Sequence, residues 1–163
     1  MSTAVRANCF DASALVKVFV DEPGGGPVRQ YFANASPTKY TTPYCYYEAL
    51  NVLKSKWMYR GELTRAAYLD AAFHVTVWFQ ASSRKIKDPD LTHPPTFVRA
   101  REIVERHSVD LSDAFQVLSV KEGYFSRLIN DSQTLLVTAD KRLAEIAEAE
   151  GIKPWYCLGG PAP

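Results

Sequence analysis

No stretch of this 163-residue chain approaches the ~18 consecutive apolar residues that cross a bilayer, so no membrane-spanning helix is expected. The start, MSTAVRANCF, lacks a basic segment followed by a long apolar run, which argues against a secretory leader. Cysteine is scarce: Cys9, Cys45 and Cys157 are odd in number, far apart and outside C-x-x-C spacing. That excludes a disulfide framework and a thiolate metal knuckle, and it predicts small buried side chains in a reducing, cytoplasmic setting. Neither sign of charge dominates, with 19 Lys and Arg against 18 Asp and Glu, so the whole-chain charge gives no blanket attraction to nucleic acid. Histidine is also scarce, and His74, His93 and His107 do not stand at metal-ligand spacing. The GGG run at 24–26 follows a helical stretch and no Lys-Ser or Lys-Thr comes after it, so it is a flexible connection and not a phosphate loop.

What is present is an ordinary folded composition, 47% hydrophobic and 23% charged. No internal repeat or linker divides it, and one domain is expected over 1–158, with the Gly-Pro-Ala end at 159–163 as a frayed tail. AVRANCF reads as a strand ending at Asp11, and ASALVKVFVDE then changes to helical period. After the DEPGGGP breaker come a short helix in VRQYFANA, a short strand in KYTTP, and a long helix in YCYYEALNVLKSKWMYRG that Pro43 opens and Gly61 stops. A further helix is predicted in LTRAAYLDAAFHVTVWF. SSRKIKDPDLTHPP, with three prolines and five charges, is an exposed loop. FVRAREIVERH, LSDAFQVLSVKEG and KRLAEIAEAEG are helices, and LLVT and IKPWYCL are strands. Short strands separated by helices predict a three-layer α/β/α sandwich around a short, mainly parallel sheet.

Four acids occupy unusual places. Asp11 and Asp140 end strands, and if those strands are parallel neighbours both carboxylates emerge at the sheet edge where ligands gather. Glu48 lies on a mostly apolar helix between Tyr44 and Val52, and Asp113 begins a helix whose Ala114, Phe115, Val117 and Leu118 look buried. Each has a plainer role open to it. Asp11 and Asp140 suit helix caps, Glu48 suits a helix surface, and DLSD suits a capping arrangement in which Asp110 or Ser112 caps and Asp113 favours the helix dipole. Gathered in one pocket, however, carboxylates repel and resist burial unless a cation joins them. Oxygen-only ligands favour Mg²⁺ or Mn²⁺, and such an ion suits phosphoester hydrolysis. With four of the 18 acids so placed, 18 − 4 = 14 would face 19 Lys and Arg elsewhere.

FDASALVKVFVDEPG, TTPYCYYEALNVL, LSDAFQVLSV and LLVTADKRLAEIAEAEGI resemble, in order, the signature blocks of PIN-domain nucleases, most closely the small VapC-type toxins of bacterial toxin–antitoxin pairs. The resemblance implies a Mg²⁺- or Mn²⁺-dependent endoribonuclease. Its catalytic and metal-binding acids would be Asp11, Glu48, Asp113 and Asp140, supported by the hydroxyls of Ser13 and Thr138, with Asp110 outside the ion's contacts. It also implies an RNA substrate, a homodimer, and, for a toxin, a small antitoxin partner. The loop SSRKIKDPDLTHPP and the segment EGYFSRLINDSQ look longer than in compact members, without touching the four acids.

Rival roles remain: a nuclease of RNA processing with no antitoxin, or a non-catalytic RNA-binding domain. A phosphatase with an Asp nucleophile would want Asp-x-Asp after the first strand, and position 13 is Ser. Tyr44, Tyr46, Tyr47, Trp57 and Tyr59 would serve either as a base-stacking platform or as core and interface. Arg84, Lys85, Lys87, Arg99 and Arg101 would either guide a phosphate backbone or simply solvate a surface.

Overall fold

In the computed structural model of the chain, residues 5–35, 37–127 and 133–163 are described. Residues 128–132 of EGYFSRLINDSQ, and Ala4 of the first strand segment, lie outside the described residues. Four parallel strands, β1 (Val5–Phe10), β2 (Thr38–Tyr40), β3 (Gln133–Thr138) and β4 (Lys153–Tyr156), form one sheet in the order β2-β1-β3-β4. Among the described residues, seven α-helices flank it: α1 (Ala12–Phe19), α2 (Gly26–Asn34), α3 (Pro43–Met58), α4 (Arg65–Ser82), α5 (Pro94–His107), α6 (Leu111–Glu122) and α7 (Lys141–Ala149). The α/β architecture expected from the alternation of short strands and helices is the one found.

Alternation along the strands divides the core in two. Ala7, Cys9, Tyr40 and Leu136 point to the side covered by α5, α6 and α7. Phe10, Leu135, Val137 and Trp155 point to the other side, against α1, α2, α3 and α4. Neighbouring strands keep this in step, since Cys9 pairs with Leu136 and Tyr40, and Phe10 with Val137. Leu15 and Leu53 are fully buried on the second side, each worth about 1.5–3 kcal/mol of apolar transfer. The three cysteines are free and buried, as expected of small core side chains.

The helix starts explain how the acids come to the sheet edge. Asp11 caps α1 through Ala14 N (2.9 Å), Asp110 caps α6 through Asp113 N (2.8 Å), and Asp140 caps α7 through Leu143 N (3.1 Å). Thr42 caps α3 with Pro43 behind it, and Gly61, at φ +64°, turns the chain after α3 in a region that favours glycine. Helix α5 begins earlier than its apolar period suggests: Pro94 and Pro95 occupy its first turn, where a missing N–H costs nothing. SSRKIKDPDLTHPP is anchored more firmly than a free loop, because Ile86 and Ser83 are buried and the Ser83 hydroxyl accepts from Thr41 N.

Candidate active site

Two strand ends build the floor of the site. Because Phe10 pairs with Val137 and Asp11 N donates to Val137 O (3.1 Å), the chain leaves β1 and β3 side by side, bringing Asp11 and Asp140 to the same sheet edge. Asp11 is only 2% exposed, yet its carboxylate is well held. Thr138 Oγ1 donates to Oδ2 at 2.7 Å, Ser13 Oγ donates at 2.8 Å, and Ala14 N completes the set. Thr138 Oγ1 also accepts from Asp140 N (2.9 Å), and Ser13 Oγ from Ala139 N (2.9 Å). The two hydroxyls therefore tie the ends of β1 and β3 together as they orient Asp11.

Glu48 enters from α3 and is clasped by α6. Its Oε1 accepts from Ser112 Oγ (2.9 Å) and Tyr44 Oη (3.1 Å), and its Oε2 from Gln116 Nε2 (2.8 Å). Asp113, one turn before Gln116 on the same helix, is half-buried. Asp11, Glu48, Asp113 and Asp140 all line one cleft of about 350 Å³, together with Ser13, Val16, Lys17, Glu22, Val52, Lys56 and Gln116. Asp110 does not line it and is occupied as the cap of α6.

The capping and pocket readings of Asp11 and Asp140 are thus compatible. One oxygen serves the helix start, and the carboxylate still faces the cleft.

The electrostatics are those of uncompensated negative charge. Burial pushes the Asp11 carboxyl up to about 6 from an ordinary 3.8; Thr138, Ala14 and Ser13 oppose the rise, and Asp140 adds to it. Asp113 is likewise pushed up to about 6, by burial first and then by the charges of Asp110, Asp140 and Glu48. Among the described residues, no three His, Cys, Asp or Glu side chains stand together as a ready metal cage, so the acids share a cleft and not yet a coordination sphere. The donor set nonetheless fits a hard cation. It is all oxygen, two members are destabilised as anions, and Gln116 Oε1, buried on the same cleft, has no hydrogen-bond partner among the described residues.

Gln116 carries no signal in the sequence, and Ser112 and Tyr44, which read there as a cap candidate and as a neighbour of Glu48, gain a further role as its hydrogen-bond donors. Ser112 and Gln116 stand four apart on α6, and Tyr44 stands four before Glu48 on α3; only the helix–helix contact reveals that they meet. The aromatic stripe divides: Tyr46 stacks on Phe79 with centroids 4.2 Å apart and Trp57 on Tyr68 at 4.9 Å, whereas Tyr47 and Tyr59 are exposed. Arg99 and Arg101 pair with Glu122 and Glu105, while Lys85 and Lys87 line a separate cleft with Tyr124. None of the three histidines lines the acidic cleft.

The family model for the PIN domain matches residues 9–149, most of the chain and a span within which the four acids lie. No curated protein matches it.

Proposed function

We propose, for a chain that belongs to the PIN-domain family, that it is an endoribonuclease cutting RNA phosphodiester bonds with Mg²⁺ or Mn²⁺ held among Asp11, Glu48, Asp113 and Asp140. The family's fold is that of nucleases, which generally use divalent metal ions. The observation that carries the reading is the meeting of these four carboxylates, drawn from three helix starts and one helix face, in a single cleft. When bound, such an ion lowers the pKa of a water and offsets the charge growing on the phosphodiester oxygens.

The chain's own residues do the positioning. Ser13 and Thr138 hold Asp11 by two hydroxyl bonds, so that its carboxylate cannot turn away from the cleft. Ser112, Tyr44 and Gln116 fix both oxygens of Glu48. Such preorganised groups lose little freedom when substrate arrives.

A single-turnover assay on labelled RNA tests the proposal. Cleavage is expected with Mg²⁺ or Mn²⁺ and its loss with EDTA; equal cleavage in EDTA, or none with either ion, overturns it.

The toxin role and its small antitoxin belong to the same proposal. An acidic cleft of this size suits an entering guanidinium, and co-purification with the product of a short neighbouring gene tests for it. The homodimer has support in Leu69, Phe73 and Val77, an exposed apolar line on α4 at four-residue spacing, and sedimentation velocity reads the oligomeric state.

A further inference from the structure

The cleft does not end at the carboxylates. Helix α1 lines it with Ser13, Val16 and Lys17, and α3 with Glu48, Val52 and Lys56, positions three and four apart that share one helix face. From Glu48 to Lys56 the wall advances eight residues, about 12 Å at 1.5 Å per residue. The cleft thus has an acidic end, an apolar middle at Val16 and Val52, and a basic end.

At the basic end one carboxylate is shared by two ammonium groups. Lys17 Nζ lies 3.0 Å from Glu22 Oε1, and Lys56 Nζ lies 2.8 Å from Glu22 Oε2. The side chains of Lys17 and Lys56 are only 16% and 12% exposed, so both charges are held at the cleft and do not sweep through solvent. Lys56 also contacts Glu62 at 2.6 Å, but Glu62 is 46% exposed, and water screens that pair. Two cations arranged around a pair of oxygens on one atom present the geometry that the non-bridging oxygens of a phosphate also satisfy.

We propose that Lys17 and Lys56 form a phosphate subsite of this cleft. It would receive the backbone phosphate of a nucleotide flanking the bond to be cut, with Val16 and Val52 beneath that nucleotide's sugar or base. The identity of the ligand as single-stranded RNA rests on the endoribonuclease reading. Glu22 holds the ammonium groups in place, and the phosphate takes over one contact from each. Because the lysines are already ordered, little side-chain entropy is lost on binding. A clamp between α1 and α3, serving stability alone, would use the same ion pairs, so the test must separate the two roles.

A fluorescein-labelled single-stranded oligoribonucleotide, titrated into the full chain carrying Asp11→Asn at several salt concentrations, reports binding without cleavage. Adding Lys17→Gln and Lys56→Gln is expected to weaken binding about tenfold and to make the slope of log K against log salt shallower by about 0.7 for the phosphate released. Glu22→Gln, which frees both lysines, is expected to tighten binding. An unchanged slope overturns the subsite, whether or not affinity falls, because a clamp changes no phosphate contact. If the double lysine variant does not fold, Glu22→Gln decides: tighter binding supports the subsite and unchanged or weaker binding overturns it. A parent chain that cuts no RNA while the slope still changes condemns only the nuclease reading, and cleavage with an unchanged slope condemns only the subsite.

Discussion

Asp11→Asn lowers the single-turnover rate of RNA cleavage by at least about 100-fold, on the order of 3 kcal/mol of transition-state stabilisation. The substitution keeps the shape of the side chain. An amide oxygen still accepts from Ala14 N to cap α1, and the amide nitrogen can donate to Thr138 Oγ1 where the carboxylate accepted from it. What disappears is the charge. At pH 7 the fold carries Asp11 as a buried anion whose pKa is raised to about 6, and the sign of the linkage follows. An acid whose pKa is higher in the folded than in the unfolded state favours folding when protonated, so the native chain loses stability as pH rises from about 4 through 6. The asparagine variant is free of that loss and is expected to melt at or slightly above the parent at pH 7. Lost cleavage with an intact melting curve is therefore the predicted pair of results. Unchanged cleavage by the folded variant would remove Asp11 from the chemistry.

Glu150→Gln is expected to cost about 2–3 kcal/mol of folding stability and to lower the melting temperature by about 4–10 °C, measured by calorimetry. The Glu150 side chain follows α7, is 3% exposed, and gathers Arg106, His107 and Lys121 from two other helices. Arg106 and His107 at the end of α5 reach Oε1, the histidine at 2.7 Å, and Lys121 at the end of α6 reaches Oε2 at 2.8 Å. Burial alone would raise the carboxyl's pKa; Lys121, His107 and Arg106 outweigh it and hold it at about 2, against an ordinary 4.5. The stabilisation is present above about pH 4.5 and is lost as pH falls through about 2. The neutral amide keeps the volume and leaves the cations facing a group that no longer balances them. Arg106 and Lys121 are each about half exposed and turn partly to water, which keeps the cost below that of a fully buried pair. Because Glu150 does not line the acidic cleft, cleavage below the melting range should be unaffected.

The sequence made the sheet and the acids legible because their signals are local. LLVTAD and NCFDAS each show a buried strand running into a carboxylate that caps the next helix, and parallel pairing of Phe10 with Val137 brings the two ends together. Glu48 stood out because its neighbours at four-residue spacing are Tyr44 and Val52, and both do face the cleft or its clasp. What stayed hidden depends on which faces of distant elements meet. Gln116 reads as one polar residue in an apolar helix until α6 is laid against α3, 68 residues away, where it donates to Glu48. Lys17, Glu22 and Lys56 look like solvated charges in a one-dimensional reading, yet the approach of α1 to α3 gathers them at the cleft. Glu150 sits in the run AEIAEAEG among acids that remain in water, and nothing local marks it as the one that α5 and α6 enclose.

Binding of Mn²⁺ to the chain, followed by the loss of the free ion's electron paramagnetic resonance signal during titration, tests the shared-ion site most directly. The wild-type protein should capture the ion at pH 7 and release it towards pH 5, as Asp11 and Asp113, both held near 6, take up protons. Asp11→Asn and Asp140→Asn should each weaken capture at pH 7. Capture that is absent at pH 7, or equally strong in both variants, would contradict a divalent ion held among these four carboxylates.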